Sequence, residues 1–258
     1  MFRIGKRKIG NKFPCFIIAE CGINHNGNLN IAKKMVDYAK ICGADAVKFQ
    51  TINPSYFKSK KYYKIFKKCE FTFKEWKKLS DYCKKKNIIF FSTPQTIKDL
   101  NLLLKLKVPV IKISSDNAIR INFVKECAKT NIPIIMSTGL GDIKKIDKAV
   151  QTITKYNKNF VLLHCVSKYP TKKKDINLER IIFLRERYKD RIIGFSDHST
   201  ESYVSNIISK FNIKIYERHF TLDNNMDGPD HKFSLIPIEF SCMIKDIRYM
   251  EKIIWGLK

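Results

Sequence analysis

Short runs of Ile, Val and Phe alternate along this chain with longer segments in which apolar residues return every three or four positions. Buried strands give the first pattern and amphipathic helices the second, and their alternation is the sequence signature of parallel βα units. The apolar runs fall at residues 16–19, 46–49, 88–91, 110–113, 132–136, 160–163, 192–195 and 213–216. The segments between and after them predict helices over 29–41, 73–85, 97–106, 123–130, 143–156, 178–188, 201–211 and 237–255. Strands this apolar need cover on both faces, and eight such units close more naturally into a barrel than into an open doubly wound sheet. The expectation is therefore an α/β chain, a (β/α)8 TIM barrel formed as one domain by residues 1–258, with residues 1–14 as a short N-terminal hairpin over its bottom. Residues 51–70, rich in Lys and Tyr, read as a long loop after the second strand and a candidate lid. No GxGxxG turn follows the first strand, which removes the main sign of a dinucleotide fold.

Length supports this picture, because 258 residues match what a (β/α)8 barrel takes. No apolar stretch could span a bilayer, and the basic start Met1 to Arg7 leads into no apolar segment with a cleavage site, so the expected location is the cytoplasm. The eight cysteines are scattered without a CxxC pair; Cys15, Cys42 and Cys165 sit in apolar surroundings that suit small buried thiols, and structural zinc is not expected. A formal charge of +26 raises nucleic-acid binding. Lys supplies most of the 50 basic residues, however, and enrichment in Lys, Asn, Ile and Phe is what an A+T-rich coding sequence produces. Clusters such as Lys84 to Lys86 and Lys172 to Lys174 lie at helix ends, where solvated surface explains them. Neither a nucleic acid nor a membrane is an expected partner, and the field instead favours small anionic substrates.

Barrel enzymes place their chemistry where strands end, and every run here is followed by polar groups. In strand order these are Glu20 with the 22–27 loop; Lys48 and Gln50; Ser92 to Pro94; Lys112, Ser114, Ser115 and Asn117; Ser137 to Gly139; His164, Ser167 and Tyr169; Ser196 to His198; and Glu217 to His219. One such end would mean a satisfied hydrogen bond, whereas eight at one end of a barrel mean a site. Lys48 and Lys112 fall inside apolar strands and need an anion nearby. With Ser115, Ser137 and Ser196 as donors, that anion is a phosphate or carboxylate; the alternative is pairing with Glu20 and Glu217. His198 and His219 end neighbouring strands and suit a divalent metal held by two imidazoles. His25 suits a turn-stabilising or a catalytic role equally, His164 could lie in the core, and His231 lies in a loop over the same mouth.

The ordered segments 18–27 (IAECGINHNG), 47–50 (VKFQ), 91–94 (FSTP), 112–115 (KISS), 136–139 (MSTG), 163–165 (LHC), 169–171 (YPT), 194–198 (GFSDH), 217–222 (ERHFTL) and 228–231 (GPDH) resemble the sialic acid synthase family. These are the N-acetylneuraminate-type synthases, which condense phosphoenolpyruvate with an N-acylated amino sugar. The resemblance implies that Lys48, Lys112, Ser115, Ser137, Ser167 and Ser196 surround phosphoenolpyruvate, and that His198 and His219 hold a manganese or magnesium ion. It implies that Glu20, Gln50, Tyr169 and Asp230 contact the open-chain sugar or a metal-bound water, with Glu20, Lys48, Lys112 and His219 as the catalytic group. Two positions depart from the family: Asn117 stands where a Glu commonly touches the sugar, and Ser167 where an Asn is usual near the phosphate. The first leaves the acceptor open among N-acetylmannosamine and precursors of legionaminic, pseudaminic or other nine-carbon acids. Family members also continue into an antifreeze-like C-terminal domain that reaches across a dimer, and this chain stops at Lys258. The expectation divides between a separate antifreeze-like protein, a barrel active without it, with or without a homodimer, and a catalytically silent sugar- or phosphoenolpyruvate-binding barrel. A related synthase acting on a phosphorylated aldose to give a keto-deoxy sugar acid is the alternative enzyme.

Overall fold

Residues 2–200, 208 and 210–257 are described in a computed structural model of the chain. The N-terminal residues form the expected antiparallel hairpin, β1 (Phe2–Ile4) and β2 (Arg7–Ile9), turned at Gly5, whose φ of +57° a side chain would strain. The apolar runs become eight parallel strands: β3 (Phe16–Gly22), β4 (Ala46–Thr51), β5 (Ile89–Pro94), β6 (Ile111–Ile113), β7 (Ile134–Ser137), β8 (Phe160–Cys165), β9 (Ile193–Asp197) and β10 (Ile215–His219). Their ladder runs β5-β4-β3-β10-β9-β8-β7-β6, and the two end strands meet at the seam of a nearly closed barrel. Every strand except β6 continues past its apolar run into the polar residues that follow. The ladder is made by backbone groups and tolerates a polar side chain wherever the barrel interior supplies a partner, so the chemistry sits on the strands themselves.

Helices α1 (Leu29–Ile41), α2 (Lys60–Lys68), α3 (Phe73–Lys85), α4 (Ile97–Leu106), α5 (Ser115–Ala118), α6 (Ile121–Lys129), α7 (Ile143–Tyr156), α8 (Glu179–Arg187) and α9 (Pro237–Trp255) complete the described elements. Local signals fix their starts: Asn28 caps α1, Asp142 caps α7, and Thr72 with Glu75 and Thr96 with Asp99 form reciprocal capping boxes on α3 and α4. The helix expected over 201–211 lies almost wholly outside the described residues. Residues 51–70 are a correction: they contain the turn Pro54–Tyr56 and the whole of α2. The stretch from Lys60 to Lys68 has neither Gly nor Pro to break a helix, and Tyr62, Ile65 and Phe66 stand at helical spacing among its lysines; the stripe is short and buries no residue. Phe66 of α2 stacks on Phe57 at 4.3 Å between ring centroids, tying the helix to its own turn.

At the bottom, Phe2, Ile4 and Ile9 of the hairpin enter the core. Asp45 receives Arg7 and Arg248 of α9, each at 3.3 Å, and the amide of Ile17 at 2.9 Å, so hairpin, first barrel strand and last helix share one carboxylate. All eight cysteines are free thiols, seven of them buried and Cys242 exposed. Among the described residues no helix is long and apolar enough to cross a membrane.

Candidate active site

Four ionisable side chains from four strands meet inside the top of the barrel. Lys48 of β4 lies 2.5 Å from Glu20 Oε2 and 3.7 Å from Glu217 Oε2; Lys112 of β6 lies 3.0 Å from Glu217 Oε1. All four are almost fully buried. Both lysines thus pair with Glu20 and Glu217, and the two cations are balanced by two anions. Lys48 also donates to Thr93 Oγ1 (3.0 Å), Ser196 donates to Glu217 Oε1 (2.8 Å), and Gln50 approaches Glu20 Oε1 at 3.4 Å. The carboxylates are not equivalent. Burial, reinforced by the charge of Glu217, pushes Glu20 up to about 7 in spite of Lys48. Glu217 is buried as deeply, but the combined charges of Lys112 and Lys48 overcome burial and hold it down at about 2. Glu20, Gln50 and Asp230 converge on Gly22: a Cβ there would stand 3.4 Å from Glu20 Oε1, 3.5 Å from Asp230 Oδ2 and 3.8 Å from Gln50 Nε2.

Across the mouth the polar groups are hydroxyls. Ser114, Ser137 and Ser167 each keep a buried Oγ without a hydrogen-bond partner, while Ser115 Oγ accepts from the amide of Gly139 at 2.9 Å. Gly139 is the floor of this cradle, since a Cβ there would come within 2.7 Å of Ser167 Oγ and 2.8 Å of Ser115 Oγ. Buried hydroxyls left unpaired are costly, and three around one space argue for a ligand that completes them. Ser114, Ser115, Ser137 and Ser196 line the same pocket as Lys48, Lys112 and the histidines.

His198 and His219 stand at the rim with ring centroids 5.3 Å apart, and the half-exposed Tyr169 covers His198 at 4.2 Å. His198 gives Nδ1 to the Val166 carbonyl (2.9 Å), which leaves Nε2 free. His219 Nδ1 is buried without a partner, 3.9 Å from Asp230 Oδ2. Burial and the neighbouring cations hold His219 well below the ordinary imidazole value, so the ring is neutral. Against burial, Cys165 and the Val166 carbonyl raise His198, which takes a second proton more readily. Burial pushes Asp230 up to about 6. Among the described residues no three His, Cys, Asp or Glu side chains form a ready ligand cluster. A divalent cation nonetheless fits the donors present: two rings with an uncommitted nitrogen each, a carboxylate beside one of them, and room for oxygens of water or substrate.

The structure does not bring Asn117 to this mouth. It is fully buried on α5, donating to Pro94 O (3.0 Å) and Gln95 Oε1 (3.3 Å) and accepting from Arg120 Nη1 (2.6 Å), so its amide is spent joining α5 to the end of β5. The remaining histidines also hold the scaffold together. His25 accepts from the Gly27 amide (3.2 Å) among Phe49, Phe71 and Trp76, and burial pushes it down to about 3. His164 bonds Ile176 O (2.8 Å), and His231 bonds Thr221 Oγ1 (2.7 Å). Two neighbours on β10 take opposite roles: Glu217 is one of the anions the sequence offered to the lysines, whereas the pairing of Arg218 escapes sequence reading. Glu217 is the anion shared by both lysines, and Arg218 points the other way, into a fully buried pair with Asp197 at 2.5 Å. The two-residue alternation of a strand is the signal that separates them: Glu217 and His219 face the interior, Arg218 the helices.

The NeuB family model matches residues 35–256. The chain is 41% identical to an uncharacterized protein of Methanocaldococcus jannaschii, over 98% of this chain and 75% of that one. It is 36% identical to the N,N'-diacetyllegionaminic acid synthase of Campylobacter jejuni, over 92% of this chain and 76% of that one. Among solved structures, N-acetylneuraminic acid synthetase from Leptospira borgpetersenii superposes with a TM-score of 0.94 at 35% identity, covering 98% of this chain and 89% of that chain. With the barrel, its charged mouth and these relatives in agreement, the chain belongs to the NeuB family.

Proposed function

We propose that this barrel condenses phosphoenolpyruvate with an N-acylated amino sugar, releasing phosphate and forming a sialic-acid-like nonulosonic acid. The observation that carries this reading is the joining, in one pocket, of two buried lysines, a cradle of unpaired hydroxyls and two rim histidines. Lys112, Lys48 and Ser115, Ser137, Ser167 and Ser196 bind the phosphate and carboxylate of phosphoenolpyruvate, the cations meeting charge and Ser137 and Ser167 gaining the partners they lack. Glu20, Gln50, Tyr169 and Asp230 line the acceptor side and orient the open-chain sugar so that its aldehyde carbon faces the enol carbon. Glu20, raised to about 7, is partly protonated near neutral pH, and in that form its carboxyl passes a proton to the aldehyde oxygen as the carbon–carbon bond forms. Water then adds to the former enol carbon, and phosphate leaves by cleavage of its bond to that carbon.

His198 and His219, with Asp230 alongside, would hold a manganese or magnesium ion, which when bound polarises the sugar carbonyl. Residues 1–258 act as one catalytic domain in this reading, in the cytoplasm, where eight unpaired thiols are stable. A second copy of the barrel or a separate antifreeze-like domain is its partner. The test is phosphate release from phosphoenolpyruvate with manganese, using N-acetylmannosamine, its diacetamido relatives and phosphorylated aldoses as acceptors. Release only with an unphosphorylated amino sugar supports the reading; release only with a phosphorylated aldose overturns it.

A further inference from the structure

Three buried cations of this molecule have carboxylates beside them: Lys48 has Glu20, Lys112 has Glu217, and Arg218 has Asp197. Lys214, at the foot of β10 and only 2% exposed, does not follow that pattern. Its ammonium donates to the Phe13 carbonyl at 3.2 Å. Glu251, the carboxylate whose field reaches it, is already engaged by Arg248 Nη1 (2.8 Å) and the Cys15 amide (2.5 Å). Burial holds Lys214 below the ordinary lysine value, and the nearby Arg185 guanidinium adds to the effect. Arg185, partly buried on α8, spends Nη2 on Asn212 O (3.1 Å) and makes no ion pair among the described residues. Two cations without acids thus stand together, which is costly unless an anion joins them.

The space between them is a cleft. Lys214 and Arg185 line it with Lys189, Arg191 and Asn11, and among the described residues Asp190 is the single carboxylate on its wall; the cleft opens to solvent. Arg191 is fixed there, its Nη1 donating to Lys158 O (2.7 Å) and its guanidinium 4.1 Å from the Phe160 ring. These groups converge at the N-terminal ends of β9 and β10, the end of the barrel opposite the lysine–glutamate pocket. Four cations against one carboxylate, two of them with the planar fork that grips phosphate oxygens, specify the ligand's chemistry.

We propose that this cleft binds a small organic diphosphate, independently of the catalytic mouth. The probe is inorganic pyrophosphate, titrated calorimetrically into the full chain in metal-free buffer at physiological salt. Two variants separate the ends of the barrel. Lys112→Met with Glu217→Gln disables the mouth without leaving a buried carboxylate unpaired, and Arg185→Gln with Lys189→Gln alters the cleft at side chains outside the core. Binding that stays within about twofold in the mouth variant and weakens by about tenfold or more in the cleft variant is the expected result. Binding that is lost with the mouth variant, that is unchanged in the cleft variant, or that is absent from the unaltered chain overturns the proposal. Unchanged phosphate release by the cleft variant, with phosphoenolpyruvate and its acceptor, shows that the barrel has folded.

Discussion

The two sides of the barrel mouth solve different problems with different residues. On the β3–β4–β10 side, which Lys112 reaches from β6, charges are already matched, with Lys48 and Lys112 held by Glu20 and Glu217. On the β6–β7–β8 side, Ser114, Ser137 and Ser167 are buried with nothing to bond. A matched set of charges is stable without a ligand and yields to one only by exchange. An unmatched set of hydroxyls is a standing cost that a ligand removes. In the proposed reading, the first side keeps the pocket tuned and supplies charge to the anion, and the second would supply the hydroxyls that fix its place.

The largest effect should come from the rim the two sides share. His198→Ala should abolish turnover in metal-supplemented buffer and weaken manganese binding by about 100-fold or more, because a site with two protein imidazoles has little affinity in reserve; calorimetry with manganese and a phosphate-release assay check both. Next, Lys112→Met should raise the KM for phosphoenolpyruvate by about 100-fold with little change in that for the sugar; steady-state kinetics showing the reverse would exchange the roles of the two sides. Gly139→Ala forces a methyl against Ser115, Ser167 and the Cys165 carbonyl and should raise the phosphoenolpyruvate KM by about tenfold while lowering the melting temperature. Ser137→Ala sharpens the contrast further: it should weaken phosphoenolpyruvate binding by about fivefold and yet stabilise the ligand-free barrel by about 1 kcal/mol, read by urea unfolding with and without the substrate.

The smallest effect is on pH. Glu20 is raised in the folded state, so between about 4.5 and 7 the native barrel keeps a proton that the unfolded chain has released. Its contribution to stability is greatest below that window and falls as pH rises through it, and Glu20→Gln should flatten the fall. Glu217 runs the opposite way: its contribution is full above about 4.5 and is lost as pH falls toward 2. A urea midpoint measured across this range in the two Gln variants separates them.

Much of this was legible in the chain. A strand covered on both faces leaves a near-continuous apolar run in the sequence, which is why all eight barrel strands could be located, and the polar residue after each run marked the mouth. What failed were features whose local pattern is short. α2 has no buried face, and α5 is a single turn. Asn117 stands among mouth residues in sequence, but one turn of helix rotates its amide toward Pro94 and Arg120, and spacing along a chain does not report that rotation. The pairing of Lys48 and Lys112 with glutamates was one of two readings open to the sequence, because a buried cation requires an anion without specifying whether protein or substrate supplies it.

The helix over residues 60–68 has a last consequence. A segment that covers no core exposes almost no apolar surface when it lifts, so its opening free energy is set by a stacked Phe pair and by the reach of Arg120 to the Tyr56 hydroxyl at 3.4 Å. Amide hydrogens of Lys60 to Lys68 should exchange with deuterium orders of magnitude faster than those of β4 beneath them. Opening of this segment is thereby uncoupled from the unfolding of the barrel: the segment can breathe on a fast clock while the eight-stranded wall keeps a slow one.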